Sequence, residues 1–279
     1  MNPFWLVPQW PAPPSVRAVF TSRQGGVSAA PYDCLNLGDH VGDAAARVAA
    51  NRAQLSRSIG ARAVFLRQVH RAGVAELDVG TADGGQADAC STTRAALACT
   101  VMVADCLPVL LSRRDGARVA AAHAGWRGLA GVPALQTALP AERQAAGEPA
   151  FTDVLSAVLR SFTASAGVNT SCAATDLIAW LGPCIGPAAF EVGAEVRAAF
   201  MAQLAGADEW FQRTSAGKFR ADLPGLARLR LRTLGMGDEQ VYGNDSSPSW
   251  CTASDPSRFF SHRRDGAATG RMAACIWRV

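Results

Sequence analysis

Lysine is almost missing from this 279-residue chain: Lys218 is the only one among 27 basic residues. An arginine bias of that kind assigns no function. The basic excess is only four, and no block or stripe gathers it, which argues against a nucleic-acid partner. No apolar run approaches the roughly 20 residues needed to span a bilayer, so no membrane partner is expected. The stretch MNPFWLVPQWPAPP has neither a basic start nor a long apolar centre. No signal peptide is read there, and a cytoplasmic protein is expected. The eight cysteines include no CxxC pair, which argues against a structural zinc ribbon. In a long, apolar, unexported chain they are expected as reduced thiols, most of them acting as small buried hydrophobes.

What is present is apolar. At 49% hydrophobic residues the chain can bury a substantial core, and no linker, repeat or low-complexity tract divides it. A single domain over 1–279 is therefore expected. Short runs rich in Val, Ala and Leu read as strands: Val16–Thr21, Ala63–Val69, Leu97–Ala104, Val109–Leu111, Arg118–Ala122, Phe259–His262 and Met272–Trp277. Asp43 is placed to cap a helix over Ala44–Ser58, and Asp222 another with Leu223, Leu226, Ala227 and Leu234 along one face. Strands and helices mix without strict alternation, which gives an α/β (α+β) domain with a mixed sheet. The stretch from Pro140 to Pro149 reads as a surface loop or insertion.

Histidine is scarce, so its placement is informative. The four are His40, His70, His123 and His262. His70 ends AVFLRQVH, Cys106 follows LACTVMVAD, and His123 ends RVAAAH, each at the end of an apolar run. If those strands are neighbours in one sheet, the three side chains converge on one edge. Two imidazoles and a thiolate suit zinc with a fourth position left open. Spacings of 36 and 17 residues match no local zinc-finger pattern. For each residue alone, a satisfied core His or Cys is the better reading; the three together favour a metal. Polar groups surround them. Arg67 and Gln68 precede His70, Asp105 precedes Cys106, and His123 opens HAGWRG with Arg127. Arginine suits phosphate through its planar fork, although a surface ion pair is an equal reading of Arg127.

Longer strings carry a resemblance. They are TSRQGGVS at 21–28, LNLGDHVGD at 35–43, RQVH at 67–70, ADAC at 87–90 and VADCLPVLL at 103–111. HAGWRGLAG at 123–131, LGPCIGPAAFEVG at 181–193, CT at 251–252 and FFSHRRDGAATGRMAACIW at 259–277 follow. By these the chain resembles the YfiH family, also known as laccase-domain or polyphenol oxidase proteins. The resemblance implies a single layered α/β/β/α domain, shared with cytotoxic necrotizing factor toxins. It implies zinc on His70, Cys106 and His123. It implies phosphorolysis of adenosine, inosine, guanosine and methylthioadenosine, with deamination of adenosine, so that the partners are purine nucleosides and phosphate. One bacterial branch resembles a peptidoglycan editing factor. The chain departs from the family at Val132–Pro133, after HAGWRGLAG, and in a longer segment near 140–152.

The expected catalytic set is His70, Cys106 and His123, with Asp105 as the carboxylate for deamination or as an orienting group. The expected substrate-binding set is Arg67, Gln68, Arg127, Arg23 and Asn36, with Arg67 or Arg127 holding phosphate. Four histidines are too few for a multicopper laccase, although copper can displace zinc in vitro. Two alternatives remain. One is a Cys-His hydrolase with Cys106 as nucleophile and His123 as base. The other is a peptidoglycan-editing factor with weak nucleoside activity.

Overall fold

A computed structural model describes residues 2–131, 152–164, 172–215 and 217–279. Val132–Pro133 and most of the 140–152 segment, including the expected loop from Pro140 to Pro149, lie outside the described residues.

Period-2 alternation in the apolar runs builds two stacked sheets. The first has the order β1 (Val16–Phe20), β13 (Met272–Arg278), β5 (Leu97–Val103), β2 (Arg62–Val64). The second has the order β12 (Val241–Gly243), β8 (Leu177–Leu181), β6 (Leu107–Arg113), β7 (Val119–Ala124), β4 (Ala89–Thr92), β3 (Val74–Glu76), and a small third sheet has the order β10 (Phe211–Ser215), β11 (Lys218–Ala221), β9 (Glu191–Gly193). Both stacked sheets mix parallel and antiparallel pairs. In β5, Cys99, Val101 and Val103 face the second sheet, whereas Ala98 and Met102 face away. In β7, Val119 and Ala121 face the first sheet, whereas Ala120 and Ala122 face away.

Each outward face is covered by helices. Helix α1 (Ala45–Ile59) sets Leu55 and Ile59 on the first sheet. Helix α3 (Val154–Ala164) sets Leu155 and Val158 on the second, and helices α4 (Ala194–Gln203) and α5 (Leu223–Thr233) add Phe200 and Leu226 to the same core. The order of layers is α/β/β/α, as the resemblance implies. Asp222 caps α5 as its sequence suggests, its Oδ1 accepting the Gly225 N–H at 2.9 Å. The cap of α1 is displaced by one residue, with Asp43 bonding the Ala44 N–H instead of a first-turn amide.

Two strand expectations fail. The run Ala63–Val69 keeps ladder pairing only through Val64. The Phe65 N–H instead bonds Asp83, and Gln68 is drawn to the backbone of Met102. Phe259–His262 is not a strand. Phe259 and Phe260 are apolar because they plug the inter-sheet core from a loop. Ser261 then caps the short helix α6 (His262–Asp265), accepting the Arg264 N–H.

Candidate functional site

The three candidate ligands do not come from neighbouring strands of one sheet. His70 lies in the loop after β2, in the first sheet. His123 lies within β7, in the second. Cys106 lies in the three-residue crossing Ala104–Cys106 by which the chain passes from β5 to β6, and so between sheets. They meet at the end of the sandwich. One ligand atom from each lies within 4.8 Å of the others, with Cys106 Sγ 3.8 Å from His70 Nε2. A tetrahedral zinc with bonds of ~2.0 Å to nitrogen and ~2.3 Å to sulfur sets that edge at roughly 3.6 Å, so the donor set fits.

Two carboxylates fix this arrangement. Asp88, fully buried, accepts three successive backbone N–H groups, from Val69 at 3.2 Å, His70 at 2.8 Å and Arg71 at 2.7 Å. That turn holds His70 at a φ of 60°, in the left-handed region. The Asp88 Oδ1 also accepts Nδ1–H of His123 at 2.9 Å, so the His123 Nε2 is left to face Cys106 and His70. Asp105, at a φ of 92°, turns the crossing. Its Oδ1 accepts the Thr252 hydroxyl, and its Oδ2 accepts the Ser261 hydroxyl and the Arg263 N–H. Both of its oxygens are thereby occupied, which ties down the backbone next to Cys106.

The electrostatics suit a ligand set. Burial alone pushes the Cys106 thiol up, but the imidazoles of His123 and His70 hold it down at about 6. Burial opposes a charge on His123, but the Cys106 sulfur and the Asp88 carboxylate raise it to about 9. The metal-free pair is thus a thiolate beside an imidazolium. Gly125, which opens helix α2 (Trp126–Ala130), leaves the room this needs. A Cβ there would lie 3.0 Å from both Cys106 Sγ and His70 Cδ2.

The triad forms part of a cavity of about 300 Å³. All four histidines line it, with Gln68, Asp105, Trp126, Phe190, Arg263 and Arg271 among the other wall residues. The remaining expected substrate residues lie elsewhere. Arg67 bonds Gln86. Arg127 is exposed, its guanidinium 4.3 Å from the Trp126 ring centroid. Arg23 is tied to Asp33 and Pro256 and stacks on Phe260, and Asn36 is buried among Gly38, Asp43 and Arg271. The sequence reading missed Asp88, Arg263 and Arg271. Their only signal was membership of ADAC and of the C-terminal string.

The fold and cavity define a layered α/β/β/α protein built around a His–Cys–His group able to hold a metal. The chain belongs to the YfiH-type laccase-domain family, whose profile, described as multi-copper polyphenol oxidoreductase laccase, matches residues 17–279. It is 43% identical over 274 residues to the purine nucleoside phosphorylase PA4543 of Pseudomonas aeruginosa, covering 98% of each chain. It is 42% identical over 276 residues to the purine nucleoside phosphorylase YfiH of Escherichia coli, again covering 98% of each. Among solved structures it is similar to protein NMB0706 of Neisseria meningitidis, with a TM-score of 0.80, 40% identity and 98% of each chain covered.

Proposed function

We propose that the protein is a zinc-dependent purine nucleoside phosphorylase that acts on adenosine, inosine, guanosine and methylthioadenosine, and that also deaminates adenosine. The observation that carries this reading is the convergence of His70, Cys106 and His123 in a cavity walled by arginine, histidine and two aromatic side chains. The names of the relatives support it. Zinc so held supplies Lewis acidity to the reaction. The chain's own part is to orient and to exclude water. Trp126 and Phe190 offer apolar surface for a purine ring, and Gln68 is locked in place by two hydrogen bonds to Met102. In phosphorolysis a phosphate oxygen bonds to ribose C1′ and the C1′–N9 bond breaks, its electron pair leaving with the base. The proton of hydrogen phosphate ends on the base, so the balance needs no further reagent. Deamination exchanges the C6 amino group for oxygen from water and releases ammonia.

Metal analysis should find about one zinc per chain. Adenosine with phosphate should yield adenine and ribose 1-phosphate, and phosphorolysis should vanish without phosphate while deamination persists. A zinc-loaded protein inert toward every purine nucleoside sinks the reading.

A second reading has an observation of its own. Cys106, His123 and Asp88 form a thiolate–imidazole–carboxylate series, the arrangement of a cysteine hydrolase. Retention of full activity after chelation, with loss on alkylating Cys106, would favour it.

A further inference from the structure

Two arginines line the cavity, Arg263 and Arg271, and neither forms an ion pair among the described residues. Arg271 is held with unusual care. Its backbone N–H donates to Asn36 Oδ1 at 2.9 Å. Its Nη1 donates to the carbonyls of Thr269 at 2.8 Å and Gly270 at 3.1 Å. Its aliphatic stem lies over Gly38, where a Cβ would come within 2.7 Å of Arg271 Cγ. Gly270 sits on the Phe260 ring, where a Cβ would come within 2.5 Å of a ring carbon. The motifs at 35–43 and 259–277 thus build one cradle for one guanidinium. Its Nε and second Nη have no protein acceptor among the described residues.

No nearby carboxylate contacts it, although the charges of Asp105 and of the Cys106 thiolate act on it from a distance. Asp105 is held by Thr252, Ser261 and the Arg263 N–H. Asp39 engages Arg52 and His40. A half-buried guanidinium with donors that no protein acceptor fills is costly unless a ligand completes it, and an anion suits its charge. Two guanidinium charges match the two charges of hydrogen phosphate, and the planar fork matches its oxygens.

We propose that Arg271, assisted by Arg263, is the phosphate-binding group of the cavity, in place of Arg67 and Arg127. The inference rests on the phosphorolysis reading, because that reaction consumes inorganic phosphate. The same chemistry also fits the phosphate ester of a nucleotide, and the experiment separates the two sources.

The test is calorimetric titration of the zinc-loaded, full-length protein with inorganic phosphate at constant ionic strength, with AMP in a parallel arm. Arg271→Gln should weaken phosphate binding about ten- to hundredfold, the range of a lost charge-assisted contact, and Arg271→Lys should lie between it and wild type. Arg67→Gln and Arg127→Gln should bind as wild type. In kinetics, Arg271→Gln should raise KM for phosphate while KM for adenosine stays within about twofold. Wild-type phosphate affinity in Arg271→Gln overturns the inference, as does weakening at Arg67 or Arg127 instead. So does a response to Arg271→Gln confined to AMP. If Arg271→Gln does not fold, Arg271→Lys carries the test, and wild-type affinity in that variant overturns the proposal. Cleavage of adenosine in the absence of phosphate sinks the phosphorylase reading, whereas an unchanged Arg271→Gln sinks only this inference.

Discussion

Replacing Asp88 by Asn changes one oxygen for an amide and little else in shape. The Asp88 carboxylate accepts four hydrogen bonds, three from backbone N–H groups and one from His123, and the Asn side chain offers one acceptor atom instead of two. If its oxygen keeps His70 and His123, its NH₂ faces the N–H groups of Val69 and Arg71, and two part-buried donors are orphaned. At roughly 1–3 kcal/mol for each orphaned donor, the cost is about 2–6 kcal/mol, visible in urea unfolding of the metal-free protein. Zinc should suffer separately, because Asp88 sets both the His123 tautomer and the turn that carries His70. Loss of such a supporting carboxylate typically lowers metal affinity about 10–100-fold, read by competition with a chelator. The two losses have one origin, so Asp88→Asn and His123→Ala should combine to much less than the sum of their effects on zinc. Zinc affinity within about twofold of wild type in Asp88→Asn would refute the reasoning.

His70→Ala, Cys106→Ala and His123→Ala should each lose bound zinc in metal analysis; retention by one of them removes that residue from the set. Gly125→Ala should drive a methyl group against Cys106 and His70, costing about 1–3 kcal/mol in thermal unfolding and weakening zinc; unchanged zinc affinity would show that the ligands shift freely. Asp43 provides a pH test. Burial raises its pKa, but hydrogen bonds from Asn36, Ser28 and the Ala44 N–H outweigh this and hold it below the ordinary carboxylate value. Its stabilisation is therefore present above that ordinary value and lost as pH falls through the depressed one, so Asp43→Asn should flatten the acid limb of the stability curve. An unchanged acid limb would count against it.

The strands β1, β5 and β13 were legible as short apolar runs because both of their faces are buried, each against a different layer. Phe259–Phe260 misled because an apolar pair that plugs a core from a loop has the composition of a strand without its ladder. The candidate trio, which the structure does bring together, was legible through scarcity, since a chain with four histidines leaves few combinations. Its geometry was not, because the three residues belong to two sheets and the crossing between them, and sheet partnership is non-local. Asp88 was hidden for the same reason. A lone aspartate before a four-residue strand gains its meaning only from the N–H groups of Val69, His70 and Arg71 and from His123. Arg67 and Arg127 attracted attention by standing next to ligands in sequence. Neighbours in an extended loop or on a helix point in different directions, and Arg271, remote in sequence, reaches the cavity instead.

Two of the three ligand segments use backbone that non-glycine residues rarely adopt, His70 itself and Asp105 beside Cys106. Such conformations cost of order 1–3 kcal/mol each and persist only where surrounding contacts over-determine them. Here each is secured by a carboxylate, though in different ways. Asp88 reaches in from just before β4 and gathers the His70 turn by its N–H groups. Asp105 reaches out from the strained crossing and fastens it to Thr252, Ser261 and Arg263. This second tie also joins Cys106 to the segment that carries His262 and Arg263, so the candidate sulfur ligand and part of the cavity wall share one hydrogen-bonded support. A substitution at either carboxylate therefore disturbs ligand geometry before it disturbs any proton transfer. Activity alone at Asp105 is consequently ambiguous, and zinc affinity measured beside it decides which role the carboxylate plays.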